Sequence, residues 1–286
     1  MATRRKRRAR PGRPPKMARP DQVERRYRRL LLDLVDHLRA SVRDNLIAAL
    51  PMYVTERDLQ TRTDSWVDDV VAAVTRIRLS MNPTERAVER EVVMIGQEVA
   101  DFNESQWRRV VRSAVGVDFL KNEPWLSDEL KSFAAENASL ITDISDKAMT
   151  NVQGIVQRGV RSGLTSRELE SQIVEQMDTT ERRARLIARD QVSKLNGQIT
   201  ARRQQSVGIR TYYWDTSGDE RVRKSHRAMN GKLCRWDDDS VYSDDGGSTW
   251  RKRSSIGGTV SKPGEDINCR CGARSNTDEL LDELGI

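Results

Sequence analysis

Cysteine and histidine are scarce in this chain, three and two among 286 residues. An odd number of cysteines, two of them in Cys269-Arg270-Cys271, excludes a disulfide scaffold and leaves the thiols free or bound to metal. Aromatic residues make up only 5% of the chain. No apolar run approaches the ~18 residues that a membrane-crossing helix needs; the longest candidates, such as Leu30 to Val35, are broken by charge. Met1 to Arg10 offers no apolar stretch behind its charges, so no secretory signal is expected and a cytoplasmic origin is.

What the chain does have is charge. Charged residues are 33% and hydrophobic residues 36%, which predicts a thin core under a heavily charged surface. The net charge of +7 is unevenly spread: residues 1–29 hold 13 Lys/Arg against 2 Asp/Glu, while the rest hold 37 against 41. The basicity therefore belongs to a tail. Residues 1–20 carry nine cations, four prolines and almost nothing to bury, which predicts disorder in isolation and salt-sensitive binding to phosphates. Arg4, Arg5, Lys6, Arg7, Arg8, Arg10, Arg13 and Lys16 are the expected contacts to double-stranded DNA. Within them Gly12-Arg13-Pro14-Pro15-Lys16 is similar to an AT-hook core, whose arginine enters a narrow minor groove; a generic polycation is the other reading.

From Asp21 the apolar spacing becomes helical. Val23, Tyr27, Leu30, Leu31, Leu34, Val35, Leu38 and Val42 form a stripe that Pro51 is expected to stop. A second helix is predicted through Trp66, Val70, Val74 and Ile77, and a third after an Asn82-Pro83-Thr84-Glu85 cap, with Val88, Val92, Ile95, Val99 and Phe102 inward. A fourth starts near Ser127 and ends near Gly159 or Gly163. Thr165-Ser166-Arg167-Glu168 has capping-box spacing and should open a short helix, followed by a last one through Leu186 to Ile199 that Gly208 closes. Beyond it, β-branched and aromatic residues from Ile209 to Trp214 and glycine-punctuated loops predict a small α+β module, with a terminal helix over Thr277 to Ile286. The expected fold class is mainly α: an elongated helical body with a small C-terminal α+β module and a disordered basic N-terminal tail. The expected domains are 1–20, 21–163 and 164–286.

Chemistry concentrates near the C-terminal end. Asp215, Asp219, Arg221, Arg223 and His226 are expected to form a structural polar network, the arginines pairing with the carboxylates. Cys269 and Cys271, two apart in a strand, share a face, and His226 with Cys234 would complete a tetrahedral zinc set; buried thiols and redox chemistry are the alternatives. A nuclease-like site from His226, Asp219, Glu220 and Asn230 is the enzymatic alternative. No catalytic residue is assigned. His37 is expected to be a solvated helix residue, and Asp237-Asp238-Asp239 a solvated acidic turn.

The ordered set Tyr213-Trp214-Asp215, Asp219-Glu220-Arg221-Val222-Arg223, Ser225-His226, Asn230-Gly231, Pro263-Gly264 and Asn268-Cys269-Arg270-Cys271 resembles the phage Mu F-like head-morphogenesis family of minor capsid proteins. Ile187-Ala188-Arg189-Asp190-Gln191 is similar to a helical segment of that family, and the resemblance covers roughly residues 164 to 275. It implies a non-enzymatic minor capsid protein of a tailed bacteriophage, in the capsid interior of the virion and in the host cytoplasm during assembly. The implied partners are the portal protein, a major capsid or scaffolding protein, and packaged DNA, with no membrane. A metal-dependent nuclease acting on phage DNA is the alternative, and a small DNA-binding regulator is disfavoured for want of a recognition helix with basic flanks.

Overall fold

A computed structural model describes residues 14–59, 66–116 and 122–283. The DNA contacts expected at Arg4, Arg5, Lys6, Arg7, Arg8, Arg10 and Arg13 lie outside the described residues. As expected, the chain is mainly helical with a small C-terminal sheet. Helix α1, Asp21–Asn45, buries Val23, Tyr27, Leu31, Leu34, Val35, Leu38 and Val42, the stripe its spacing predicts except for Leu30, which is only half-buried at its edge. Each such apolar side chain removed from water contributes about 1.5 to 3 kcal/mol. His37 falls outside this stripe and is exposed.

Three helix boundaries differ from the sequence expectation. Pro51 does not stop the first helix: α1 ends at Asn45, a 3-10 turn spans Ile47–Ala49, and Pro51 sits in the first turn of α2, Leu50–Leu59. A first-turn proline lacks only an amide proton that has no intrahelical acceptor. Asn82-Pro83-Thr84-Glu85 does not begin a new helix, because α3 runs unbroken from Trp66 to Val115 with Pro83 inside it. The buried positions Val70, Val74, Ile77, Met81, Glu85, Val88, Val92, Ile95 and Val99 keep three- and four-residue spacing across the proline. That continuous burial outweighs the lost hydrogen bond. After α4, Leu126–Arg161, the two expected last helices are one, α5, Ser166–Ser206. Residues 178–180, where two helices would part, contain no glycine or proline, and the Thr179 and Thr180 hydroxyls donate to the Glu175 and Gln176 carbonyls at 3.1 and 3.0 Å. The capping box at its start is real: the Thr165 N–H donates to Glu168 Oε2 at 2.8 Å and the Glu168 N–H to Thr165 Oγ1 at 3.3 Å.

The sheet is antiparallel with strand order β4-β3-β2-β1-β5. Its strands are β1 Thr211–Asp215, β2 Leu233–Arg235, β3 Val241–Ser243, β4 Arg251–Lys252 and β5 Gly272–Ser275. Helix α6, Lys224–Met229, lies between β1 and β2 in sequence, and α7, Thr277–Glu283, follows β5. Alternation puts Tyr212 and Trp214 on one face of β1, where they pack with Met229, Cys234, Trp236, Tyr242 and Ala273. Arg253 is buried among them, its guanidinium donating to the carbonyls of Val241 and Ser261 at 3.0 and 2.9 Å and to the Tyr212 hydroxyl at 3.2 Å.

The described residues gather into two compact units, one within Met1–Pro20, Glu98–Glu129 and Val192–Ile286, the other within Asp21–Gln97 and Leu130–Gln191. The second is a helical assembly whose core contains a polar chain: the Tyr27 hydroxyl donates to Asn137 Oδ1 at 2.7 Å, and the Asn137 amide donates to Phe133 O and Gln191 Oε1. The first contains the sheet. There Asn103 of α3 donates to Thr200 Oγ1 of α5 at 2.7 Å, and Arg203 of α5 is buried against Glu123. No helix among the described residues is long and apolar enough to cross a membrane.

Candidate functional site

Helix α6 presents His226 toward the segment that leads into β5. The His226 ring is 3% exposed and meets the buried Trp214 edge-on, with centroids 5.6 Å apart. Its Nδ1 lies 3.4 Å from Cys271 Sγ and 3.5 Å from Cys269 Sγ, while Nε2 lies 2.8 Å from Asp266 Oδ2. Asp266 also accepts from the Ser261 hydroxyl at 2.8 Å, so the loop that carries it is fastened from both sides.

The loop is shaped by backbone conformations that few residues adopt. Gly264 has φ +94° and Asn268, immediately before Cys269, has φ 61°, a region that asparagine tolerates better than most residues. Helix α5 forms the wall behind it. A Cβ on Gly197 would lie 2.8 Å from Pro263 O, and one on Gly264 would lie 3.0 Å from Ser193 O, so helix and loop backbones touch where only glycine fits. The Ser193 hydroxyl donates to Cys269 O at 3.0 Å, which ties the cysteine to the helix directly.

Electrostatics separates the two thiols. A hydrogen bond from Cys271, then those from His226 and from the backbone N–H groups of Cys271 and Gly264, outweigh burial and hold the Cys269 thiol below its ordinary value. The hydrogen bond with Cys269, then burial and the charge on Cys269, push Cys271 upward. The Cys269 thiolate, with Asp266 behind, holds the His226 imidazole above its ordinary value against the opposing effect of burial. Burial alone would raise Asp266, yet the Ser261 hydroxyl and His226 keep it below the usual carboxylate range.

Of the four expected metal ligands, His226, Cys269 and Cys271 come together, their ligating atoms all within 4.8 Å of one another. Cys234 does not join them. In β2 it pairs with Tyr212, one full pleat before Trp214, and sits among Tyr212, Trp236 and Tyr242. Burial there pushes its thiol up to about 11, as befits a packed, protonated side chain.

The expected polar network is also rearranged. Asp215 pairs with Arg274 at 3.1 Å and with Lys16 at 2.6 Å, and Asp219 is gripped by both terminal nitrogens of Arg270 at 2.6 and 2.7 Å. Arg221 contributes its backbone N–H to Asp219, and the Arg223 guanidinium donates to Ile267 O at 2.6 Å; both side chains are exposed. The arginines that match the carboxylates thus come from the far end of the chain. In β5, Arg274 pairs in register with Tyr213 and lies diagonal to Asp215 on the same sheet face. Arg270 is the middle residue of Cys-Arg-Cys, which precedes β5 instead of lying in a strand as expected, and its side chain goes to Asp219 while both thiols go to His226. Neither these partners nor the role of Asp266 is legible in the sequence.

The nuclease-like set is not assembled. Asp219 is held by Arg270, and Asn230 Oδ1 accepts from the Thr216 N–H and hydroxyl at 3.0 Å. The carboxylate on His226 is Asp266. Asp238 of the acidic run caps Ser240 locally, accepting from its N–H and hydroxyl, and Asp237 pairs with Arg235.

Lys16, the one expected DNA contact among the described residues, is anchored at its backbone too, Arg109 donating to its carbonyl at 2.7 Å, and the Ala18 N–H donates to Gln106 Oε1.

Comparison with known proteins bears on this segment. An uncharacterized protein of Haemophilus influenzae is 34% identical over 164 residues, which are 56% of this chain and 33% of that protein. The chain thus spans about a third of that relative's length. No solved structure matches. Residues 150–274 match the family described as Phage Mu protein F like protein. The stretch that carries α5, nearly all of the sheet, His226 and both clustered cysteines is thus similar to that family.

Proposed function

We propose that this protein is a minor capsid protein of a tailed bacteriophage, one that joins the procapsid during head morphogenesis, associates with the portal, and contacts packaged double-stranded DNA through its basic N-terminal segment. The observation that carries this reading is the match of residues 150–274 to the phage Mu F-like family, a family of structural head proteins. Two features support it independently. The helices are long, with α3 at 50 residues and α5 at 41, and side chains such as Leu79 and Val93 remain exposed on α3, which suits protein partners. The first 20 residues carry nine cations and no acid, which suits a phosphate backbone. In this reading the role is structural, and residues 164–286 form the module that docks in the head.

The test is the composition of purified procapsids assembled from the phage's major capsid and scaffolding proteins, with and without portal, read by quantitative mass spectrometry. The protein is expected in particles that contain portal and depleted in those that lack it. Equal amounts in both would remove the portal from the proposal; absence from both would overturn the assignment as a head protein.

A further inference from the structure

We propose that His226 Nδ1, Cys269 Sγ and Cys271 Sγ bind one zinc ion, with a water or another exogenous donor in the fourth tetrahedral position. The distances fit a coordination polyhedron. Bonds of about 2.3 Å to sulfur and 2.0 to 2.1 Å to nitrogen, at tetrahedral angles, separate the nitrogen from each sulfur by about 3.5 Å. The corresponding contacts are 3.4 and 3.5 Å. Two thiolates and an imidazole are soft donors, which select zinc over magnesium or calcium.

The surroundings are those of a ligand set already oriented. Asp266 on Nε2 fixes the ring so that Nδ1 faces the sulfurs, the arrangement in which a carboxylate behind a ligating histidine strengthens it. Cys269 Sγ accepts from the N–H of Gly264 at 3.4 Å and of Cys271 at 3.5 Å, donors that favour a thiolate. The Trp214 indole N–H is buried with no hydrogen-bond partner, and Cys271 packs against the cluster that contains it. A metal-bound Cys271 thiolate is the anionic acceptor this donor lacks. Charge closes as well: two thiolates and a neutral imidazole around a divalent cation make a neutral centre in a largely buried place. Binding releases to solvent whatever protons the thiols and the imidazole carry.

Among the described residues no fourth histidine, cysteine or carboxylate belongs to the group, which leaves one position for an exchangeable ligand. The ion would join α6 to the Cys269-Arg270-Cys271 segment that leads into β5.

The experiment uses the full chain, purified under reducing conditions without chelator. About one zinc per chain is expected by elemental analysis. X-ray absorption at the zinc edge should show two sulfurs at about 2.3 Å and two nitrogen or oxygen neighbours at about 2.0 to 2.1 Å. Cys269→Ser, Cys271→Ser and His226→Gln should each abolish stoichiometric zinc. Asp266→Asn, which removes only the positioning carboxylate, should weaken zinc affinity about 10- to 100-fold. Cys234→Ser should leave zinc content unchanged. The absorption spectrum of the unmodified chain decides the matter even if a ligand variant fails to fold. A folded, zinc-free protein, a shell without sulfur or with three sulfurs, or a Cys269–Cys271 disulfide seen as the loss of two hydrogens in freshly purified protein would each overturn the proposal. None of these outcomes bears on procapsid composition, so the two readings fail separately.

Discussion

Arg203 shows how much a single buried charge can decide. It is 1% exposed, and the Glu123 carboxylate takes its Nε and one terminal nitrogen at 2.7 and 2.8 Å, while Ala100 O and Asn103 Oδ1 take the other at 3.2 and 2.8 Å. Glu123 is itself only 9% exposed at its side chain. Removing the guanidinium strands that carboxylate, a loss that typically costs about 3 to 5 kcal/mol. Arg203→Ala is therefore expected to lower the unfolding free energy by that amount, read from the denaturant midpoint at unchanged slope, and Arg203→Lys to recover only part, because an ammonium cannot span a two-point fork and two further acceptors. A loss below about 1 kcal/mol would show the pair to be dispensable, in the range of surface ion pairs. The same logic explains why the partners of Asp215, Asp219 and His226 were not legible. Charges close in sequence invite pairing, but Arg274, Arg270 and Asp266 are 59, 51 and 40 residues from the groups they meet.

At the scale of elements, Pro83 separates local preference from tertiary demand. Asparagine, proline and glutamate in that order describe a helix start, yet α3 passes through them because its buried stripe is unbroken. An interior proline costs about 3 kcal/mol, through a missing N–H to the carbonyl four residues back and a clash with it. Pro83→Ala should accordingly raise stability by up to about 3 kcal/mol, measured by thermal and denaturant unfolding. At the first position of a separate helix, the same change would be nearly neutral. The long helices were otherwise readable, since periodicity fixes which face is buried. Their ends were not, because a helix stops where packing stops rewarding it. Asn268 belongs here as well: its left-handed backbone turns the chain so that Cys269 meets His226, and nothing in the local sequence demands it.

For the whole molecule, the basic N-terminal segment divides in two. Residues 14–20 are described and attached, through Lys16 to Asp215 and Arg109 and through Ala18 to Gln106, with Pro14 and Pro20 buried. Seven of the nine cations of residues 1–20 precede them. Deleting residues 1–13 should thus remove most DNA affinity and flatten its salt dependence, by about 0.9 for each phosphate no longer neutralised, while leaving the melting temperature unchanged. Deleting residues 1–20 should also lower the melting temperature. Fluorescence anisotropy across a salt series, with calorimetry on the same samples, checks both; unchanged DNA affinity on the shorter deletion would place the DNA interface elsewhere.

The amino-acid sequence by itself determined the helical class, the buried stripes of α1 and α3, the capping box of α5, the C-terminal strand-bearing module and its similarity to the Mu F-like family. Each of these rests on spacing within a few turns of chain or on short motifs, the range over which side-chain direction follows from local geometry. Only the tertiary structure decided that β5 lies against β1, that Cys234 belongs to the aromatic core, and that Asp266 stands behind His226. Those choices join residues from 22 to 63 positions apart, where no periodicity reaches and packing together with hydrogen-bond satisfaction selects the partner.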